Sequence, residues 1–177
     1  IIIGSDGSLS DDEIFVINVA GVNQAPVLDA IADLGSINEN VALSTIDAAD
    51  GGDDFDFDAQ AITYSCFYEA NIDGTVASAT ACTTITGLTF NTSTGVMNWT
   101  PDYTQSGDYE FKIVGSDGAL SDDEIFSITV ANTNRAPVLD SIANESVNET
   151  QAITQVNAAD GSDDQDADLD VISYTCF

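Results

Sequence analysis

The sequence predicts an all-β fold, a row of Greek-key β-sandwiches with about seven strands in each. Apolar residues alternate with polar ones almost everywhere, and turn residues separate the alternating stretches. Alternation places every second side chain on one face of a strand, so each strand is predicted to bury one face. The same pattern also recurs farther along the chain, which predicts several such domains in tandem.

The period of the repeat is the length of one ordinary domain. The motif Gly-Ser-Asp-Gly at 4–7 returns at 115–118, and Ala-Pro-Val-Leu-Asp at 25–29 returns at 136–140, both 111 positions later. A unit of this size can bury its own core. We therefore expect the end of one unit in residues 1–22, a complete unit in 23–133 and the beginning of a third in 134–177.

The strands of the middle unit follow in order. The first strand is broken into two pieces, 27–31 and 36–38. Further strands are predicted over 43–48 and 61–67, and a hairpin over 88–99 around the turn sequence Asn-Thr-Ser-Thr-Gly. A second hairpin is predicted over 108–130 around the repeated Gly-Ser-Asp-Gly motif.

Three aromatic residues and a proline complete the expected framework. Trp99 is the obvious large core residue, and Tyr109 precedes Phe111 by two, which is the position of a tyrosine corner. The units meet at Asn-x-Ala-Pro, where the proline favours extended backbone before it. The linker is therefore expected to be short and to restrict the angle between units.

The charge of the chain is very unbalanced, with 31 acidic residues against 2 basic ones and a net charge of −29. This excludes nucleic acid as a ligand and disfavours anionic membranes, because both require lysine and arginine. It favours bound cations, basic partners or a salty habitat. We expect the Ser-Asp-Asp-Glu runs at 10–13 and 121–124 to protect a sheet edge from pairing, with a metal role as the alternative.

Aspartates are concentrated in the loop between the second and third strands. Carboxylates this close repel one another, and calcium, which takes six to eight oxygen ligands in a flexible geometry, would neutralise them. The sequence therefore predicts a calcium site here, although a solvated acidic loop, as in a halophile, is the alternative. The aspartates are Asp50, Asp53, Asp54, Asp56 and Asp58, and in the next copy Asp160, Asp163, Asp164, Asp166, Asp168 and Asp170.

The cysteines predict one disulfide in each unit. Cys66 and Cys82 lie in the middle unit, and Cys176 is the next copy of Cys66, with its partner expected beyond residue 177. A disulfide implies an oxidising compartment. The alternative is three buried thiols.

Several motifs of the middle unit resemble bacterial cadherin-like or Ig-like tandem repeats of large surface proteins. They are Gly-Leu-Thr-Phe-Asn at 87–91, Trp-Thr-Pro at 99–101, Gly-Asp-Tyr-Glu-Phe at 107–111 and Asn-x-Ala-Pro at 134–137. The resemblance covers essentially the whole middle unit. It implies extracellular tandem arrays that are adhesive or structural and often depend on calcium.

The resemblance also implies that ions lie at the junctions between units. It assigns the complete junction to Glu39, Asp102, Asn132, Asn134 and members of Asp163, Asp164, Asp166 and Asp168. It assigns the earlier junction to Asn23 with Asp53, Asp54, Asp56 and Asp58, and Glu149 is the next copy of Glu39. Since the acidic loop is longer than is usual in this group, an ion bound within one loop is the alternative.

The sequence predicts a structural role and no catalysis. There is no histidine, and with one lysine and one arginine there is little to stabilise an anionic transition state. We expect a repeat segment of an extracellular or cell-surface fibre, stalk or filament stabilised by calcium, with neighbouring repeats or copies of itself as partners. The alternative is an adhesin that recognises glycans or another cell through loops such as 68–80.

Overall fold

The structure, a computed structural model, describes residues 1–49, 54–77, 80–142, 144–153, 164–168 and 170–176. In this part of the chain the secondary structure is β-strand apart from a single 3-10 turn, Cys82–Thr84. The strands are β1 Ile2–Ser5, β2 Ser10–Glu13, β3 Ser36–Asn38, β4 Ile46–Asp47, β5 Thr63–Glu69, β6 Thr89–Phe90, β7 Val96–Asn98, β8 Gly107–Ser116 and β9 Ser121–Ala131. None of the described segments is a helix long and apolar enough to cross a membrane.

Strands β3 to β9 form a two-sheet sandwich, which confirms the predicted all-β fold. One sheet has the order β3-β9-β8-β5 and the other the order β4-β7-β6. All neighbours are antiparallel except β3 and β9, which run parallel. Side chains from both sheets form one buried core.

The core follows the alternation in the sequence. On β8, Phe111 and Ile113 are fully buried, and on β9 their partners in the core are Phe126 and Ile128. Phe111 pairs with Phe126 across the strands, and their rings stack with centroids 5.3 Å apart. Burial of each such side chain contributes roughly 1.5–3 kcal/mol.

The tyrosine corner is present as predicted. The Tyr109 hydroxyl donates a hydrogen bond to the Gln105 carbonyl at 3.0 Å, four residues upstream. The ring of Tyr109 packs edge-on against Trp99, with centroids 4.9 Å apart, and Trp99 is 2% exposed. Together they fix the start of β8 against the core.

Of the two predicted pieces of the first strand, 36–38 is strand β3, which runs parallel to β9. The piece predicted over 27–31 is not a strand and holds only an antiparallel bridge from Val27 to Phe55. Beside β9, the amide of Leu28 donates to Asp122 Oδ2 at 3.0 Å, and Asp33 Oδ1 accepts from the amide of Ser127 at 2.7 Å. Asp122 therefore fastens the segment 27–31 to β9. The edge protection expected for the Ser-Asp-Asp-Glu run stays a prediction, since β3 pairs with β9 only at 129–131.

The predicted disulfide joins Cys66 on β5 to Cys82 in the 3-10 turn, with Cα atoms 5.5 Å apart. Cys82 is fully buried, whereas Cys176 is free and exposed. The alternative of three buried thiols is therefore wrong.

Parts of the fold recur at both ends. Strands β1 and β2 pair Ile2 with Glu13, as β8 and β9 pair Ile113 with Glu124. The bridge between Val27 and Phe55 recurs as the bridge between 138 and 165. The unit boundaries at 22/23 and 133/134 stay a prediction.

Candidate functional site

The described part of the acidic loop is fastened to the linker and to the segment 27–31. Asp54 Oδ1 accepts from the amide of Asp29 at 2.7 Å, and Asp58 Oδ2 accepts from the amide of Gln24 at 2.7 Å. Two backbone hydrogen bonds between Val27 and Phe55 close the same contact. The loop and the linker therefore form one connected piece.

Asp56 forms the turn at the centre of the loop. Its Oδ1 accepts from the amides of Asp58 at 2.7 Å and Gln60 at 3.3 Å. Its Oδ2 is buried and has no hydrogen-bond partner among the described residues. A buried carboxylate oxygen without a partner is costly, and a hard cation would satisfy it.

Further acidic groups surround this loop. The Asn23 amide group donates to Asp117 Oδ2 at 2.8 Å, and Gln60 Nε2 donates to Asn23 Oδ1. Burial raises the pKa of Glu124, and the nearby carboxylates of Asp122, Asp123, Asp29 and Asp54 raise it further. Negative charge is therefore concentrated at this end of the middle unit.

The loop also forms a hydrogen bond with a tyrosine of β5 and helps to raise its pKa. The Tyr64 hydroxyl donates to Asp54 Oδ2 at 3.1 Å. Burial raises the pKa of Tyr64 to about 12, and the hydrogen bond to Asp54 and the negative charge of Asp54 contribute to the shift.

The same arrangement recurs in the next copy of the loop. Asp164 accepts from the amide of Asp140 at 2.7 Å and from the hydroxyl of Tyr174 at 3.0 Å. Asp166 Oδ1 accepts from the amides of 168 and 170 at 2.9 and 3.2 Å. Each contact has its counterpart around Asp54 and Asp56, so the loop conformation is a property of the repeat.

Glu39 lies at the opposite end of the unit and contacts the next linker. It is 2% exposed, and its two carboxylate oxygens accept from the amides of Ser106 at 3.1 Å and Thr133 at 2.9 Å. Thr133 lies between the exposed Asn132 and Asn134. The predicted Glu39 and the predicted linker residues are thus brought to one place.

The other predicted ligands are distributed differently. Asp102 Oδ1 is engaged in its own turn, accepting from the amide and hydroxyl of Thr104. Glu149 is exposed in a turn. Four predicted ligands lie outside the described residues: Asp50, Asp53, Asp160 and Asp163.

Asp168 already has a cationic partner. Arg135, in the linker, forms an ion pair with Asp168 at 2.8 Å. Hydrogen bonds from Arg135 to Asp168 lower the pKa of this carboxyl and keep it charged.

A second group of carboxylates was not anticipated from the sequence. Ligand oxygens of Glu69, Asp73 and Glu110 lie within 4.8 Å of one another. Glu69 pairs directly with Glu110 across β5 and β8, and Glu110 is 2% exposed and accepts amide hydrogen bonds from residues 73–75. The register of β5 and β8, which the sequence does not specify, brings Glu69 beside Glu110. The loop after β5 adds Asp73.

Comparison with known proteins identifies a matching family and several similar structures. No curated protein sequence matches the chain. Among solved structures, a chimeric titin Z1Z2 matches with a TM-score of 0.43 and 14% identity, over 64% of this chain and 100% of that one. A Drosophila N-cadherin EC1-3 fragment matches with a TM-score of 0.42 and 12% identity, over 63% of this chain and 35% of the fragment.

An endo-fucoidan hydrolase of glycoside hydrolase family 107 is also similar, with a TM-score of 0.39 and 20% identity, over 78% of this chain and 20% of the hydrolase. The chain thus spans about a third of the N-cadherin fragment and a fifth of the hydrolase. The family model described as "Putative Ig domain" matches residues 41–131, just over half of the chain. The chain belongs to this immunoglobulin-like domain family, whose fold is typical of structural and adhesion modules.

Proposed function

We propose that this chain is a structural segment of an extracellular fibre, stalk or filament in which calcium bound by the Asp54–Asp58 loop stiffens the link between units. Its partners in that role are neighbouring repeats or further copies of itself. The observation that carries the proposal is the buried, unpartnered Oδ2 of Asp56, in a loop bonded to the linker.

The residues of the loop suit calcium. Asp54, Asp56 and Asp58 offer carboxylate oxygens whose remaining lone pairs are free to coordinate. Calcium, when bound, supplies a hard divalent charge that takes six to eight oxygens and neutralises the loop. Lys112 cannot take this role, because its Nζ donates to the carbonyl of Val76 at 3.0 Å, and Arg135 is bound to Asp168.

The chain's own contacts would transmit this effect to the linker. Asp58 holds the amide of Gln24, and Asp54 holds the amide of Asp29. An ion that fixes these aspartates would therefore reduce the motion of residues on both sides of Pro26. The result is a mechanical function, a restricted angle between successive domains.

Catalysis is not part of the proposal. The chain contains no histidine, and its two basic side chains, Lys112 and Arg135, are engaged in the contacts described above. The two side chains that could stabilise an anionic transition state are therefore already occupied.

The calcium claim is tested by melting and binding with the full chain. We expect calcium at a hundred times its Kd to stabilise the protein by about 2.7 kcal/mol, which raises the Tm by roughly 10 °C over the value in chelator. The variant D56N should weaken calcium binding at least tenfold in calorimetric titration, because it removes one charge and one ligand oxygen.

The matched control is D12N, which removes the same charge from the exposed strand β2. It should leave the calcium affinity within about twofold, as expected for a remote surface charge. Equal calcium binding by D56N and the unmodified chain, or a Tm that does not respond to chelator, would contradict the proposed site.

A further inference from the structure

We propose that Arg135 is a built-in cation at the link between segments 23–133 and 134–176, where it takes the place of a metal ion. Arg135 is the single arginine of the chain. Its counterpart one repeat earlier, 111 positions before, is the uncharged Gln24. The two acidic loops are therefore neutralised by different means.

The contacts between Arg135 and Asp168 use both oxygens of the carboxylate. The backbone amide of Arg135 donates to Asp168 Oδ2 at 2.6 Å. Its Nε and Nη2 donate to Asp168 Oδ1 at 3.0 and 2.8 Å. The side chain of Asp168 is only 1% exposed, so the guanidinium provides its charge compensation inside the structure.

Arg135 also contacts the preceding segment. Its guanidinium carbon lies 4.5 Å from the centre of the Tyr103 ring, a cation–π contact. Nη2 also donates to the carbonyl of Ala167 at 2.9 Å. One side chain thus joins Tyr103, before the linker, to Ala167 and Asp168, after it.

Comparison with Gln24 shows which contact of Arg135 is shared by the two copies and which depends on the arginine side chain. The amide of Gln24 donates to Asp58 Oδ2 at 2.7 Å, as the amide of Arg135 does to Asp168. The backbone contact is therefore common to both copies, while the guanidinium contacts are added by the arginine. Arginine stays protonated in proteins, so the cation is permanent.

Arg135 donates to both oxygens of Asp168, so it competes with a calcium ion for this carboxylate, and the two positive charges repel. We therefore infer that the link at Arg135 holds its geometry without calcium. The inference uses the proposed function only in its comparison with the Asp54–Asp58 loop. A fibre built in this way would keep some links rigid when calcium is removed.

The test is hydrogen exchange of the full chain, read at the amides of position 135 and Asp140 in chelator and in calcium. In the unmodified chain both amides should exchange at the same rate in the two conditions. In R135Q, exchange in chelator should be roughly threefold to tenfold faster, because the ion pair and the cation–π contact are lost. R135K should give an intermediate rate, since lysine keeps the charge but not the planar, two-point contact.

K112Q is the charge-matched control, because Lys112 is bonded to Val76 away from the linker. It should leave both rates unchanged. The inference is overturned if R135Q exchanges as the unmodified chain does in chelator, or if the unmodified chain loses protection when calcium is removed. These results are independent of the D56N titration, so failure of one claim is distinguishable from failure of the other.

Discussion

At the scale of single residues, Tyr64 reports on the acidic loop. Its hydroxyl donates to Asp54 Oδ2, and its ring lies in the core. Ionisation of Tyr64 would place a second negative charge beside Asp54 in a partly buried position. Burial therefore raises the pKa of Tyr64 from the usual 10.0 to about 12, and the hydrogen bond to Asp54 and its charge add to the shift.

The shift predicts a loss of stability at alkaline pH. In the unfolded chain Tyr64 ionises near pH 10, whereas in the folded chain it stays neutral to about pH 12. The stabilising contribution is therefore complete below pH 10 and is lost as the pH rises from about 10 to about 12. Urea denaturation between pH 9 and 11.5 should show this decline.

The variant Y64F should show a weaker decline over the same range, because phenylalanine does not ionise. Part of the decline should remain, since burial also raises the pKa of Tyr109. Identical alkaline profiles for Y64F and the unmodified chain would mean that Asp54 and burial do not hold Tyr64 neutral.

At the scale of elements, the hairpin of β6 and β7 depends on one glycine. Gly95 has φ +70°, and a Cβ there would lie 2.7 Å from Ala48 Cβ and 3.2 Å from Tyr64 Cδ1. The turn is therefore packed directly against β4 and β5. Gly118, in the turn between β8 and β9, has φ +99° but has no atom within 4 Å of its Cβ position.

The two glycines predict different responses to alanine. G118A should lower the free energy of unfolding by about 1 kcal/mol, the effect of backbone strain alone. G95A should lower it by about 2–4 kcal/mol, because overpacking adds to the same strain. Urea denaturation at neutral pH measures both, and a G95A effect no larger than that of G118A would contradict the packing at this turn.

The elements also show how far the sequence predicts the structure. Alternation and turn residues were sufficient for both hairpins and for the strand at 36–38, because each of these signals is local. Strand length was less accurate: 43–48 was expected as a strand, and β4 covers only Ile46–Asp47. Edge pairing depends on the neighbouring strand, which a sequence pattern does not contain.

The candidate site was predictable only in part for the same reason. The aspartates of the loop were evident because they are adjacent in sequence. The proximity of Glu69 to Glu110 and the bond from Asp122 to Leu28 depend on register between distant segments. The ion pair of Arg135 with Asp168 likewise joins residues that only the folded linker brings together.

At the scale of the whole molecule, the fold holds together despite a net charge of −29. Many carboxylates accept backbone amides instead of pairing with cations, as Asp33, Glu39 and Glu110 do. Such bonds satisfy the carboxylates locally, but they leave the overall repulsion in place. A covalent link between distant parts of the sandwich therefore has particular value here.

The disulfide between Cys66 and Cys82 is that link, and its removal is predicted to cause a large loss of stability. It joins β5 to the 3-10 turn that precedes β6 in the other sheet, across 16 positions of sequence. A closed loop of this size stabilises the folded state by about 3 kcal/mol, mainly by restricting the unfolded chain. C66A/C82A should therefore melt roughly 10–20 °C below the unmodified protein.

C176A is the matched control, because Cys176 is free and exposed, and it should leave the Tm unchanged. Reducing agent should lower the Tm of the unmodified chain and of C176A alike, and should have no effect on C66A/C82A. If C66A/C82A has the same Tm as the unmodified chain, core packing around Trp99 and Phe111 is sufficient to hold the two sheets together. Because each unit is predicted to carry its own disulfide, the same loss would recur in every domain of an array.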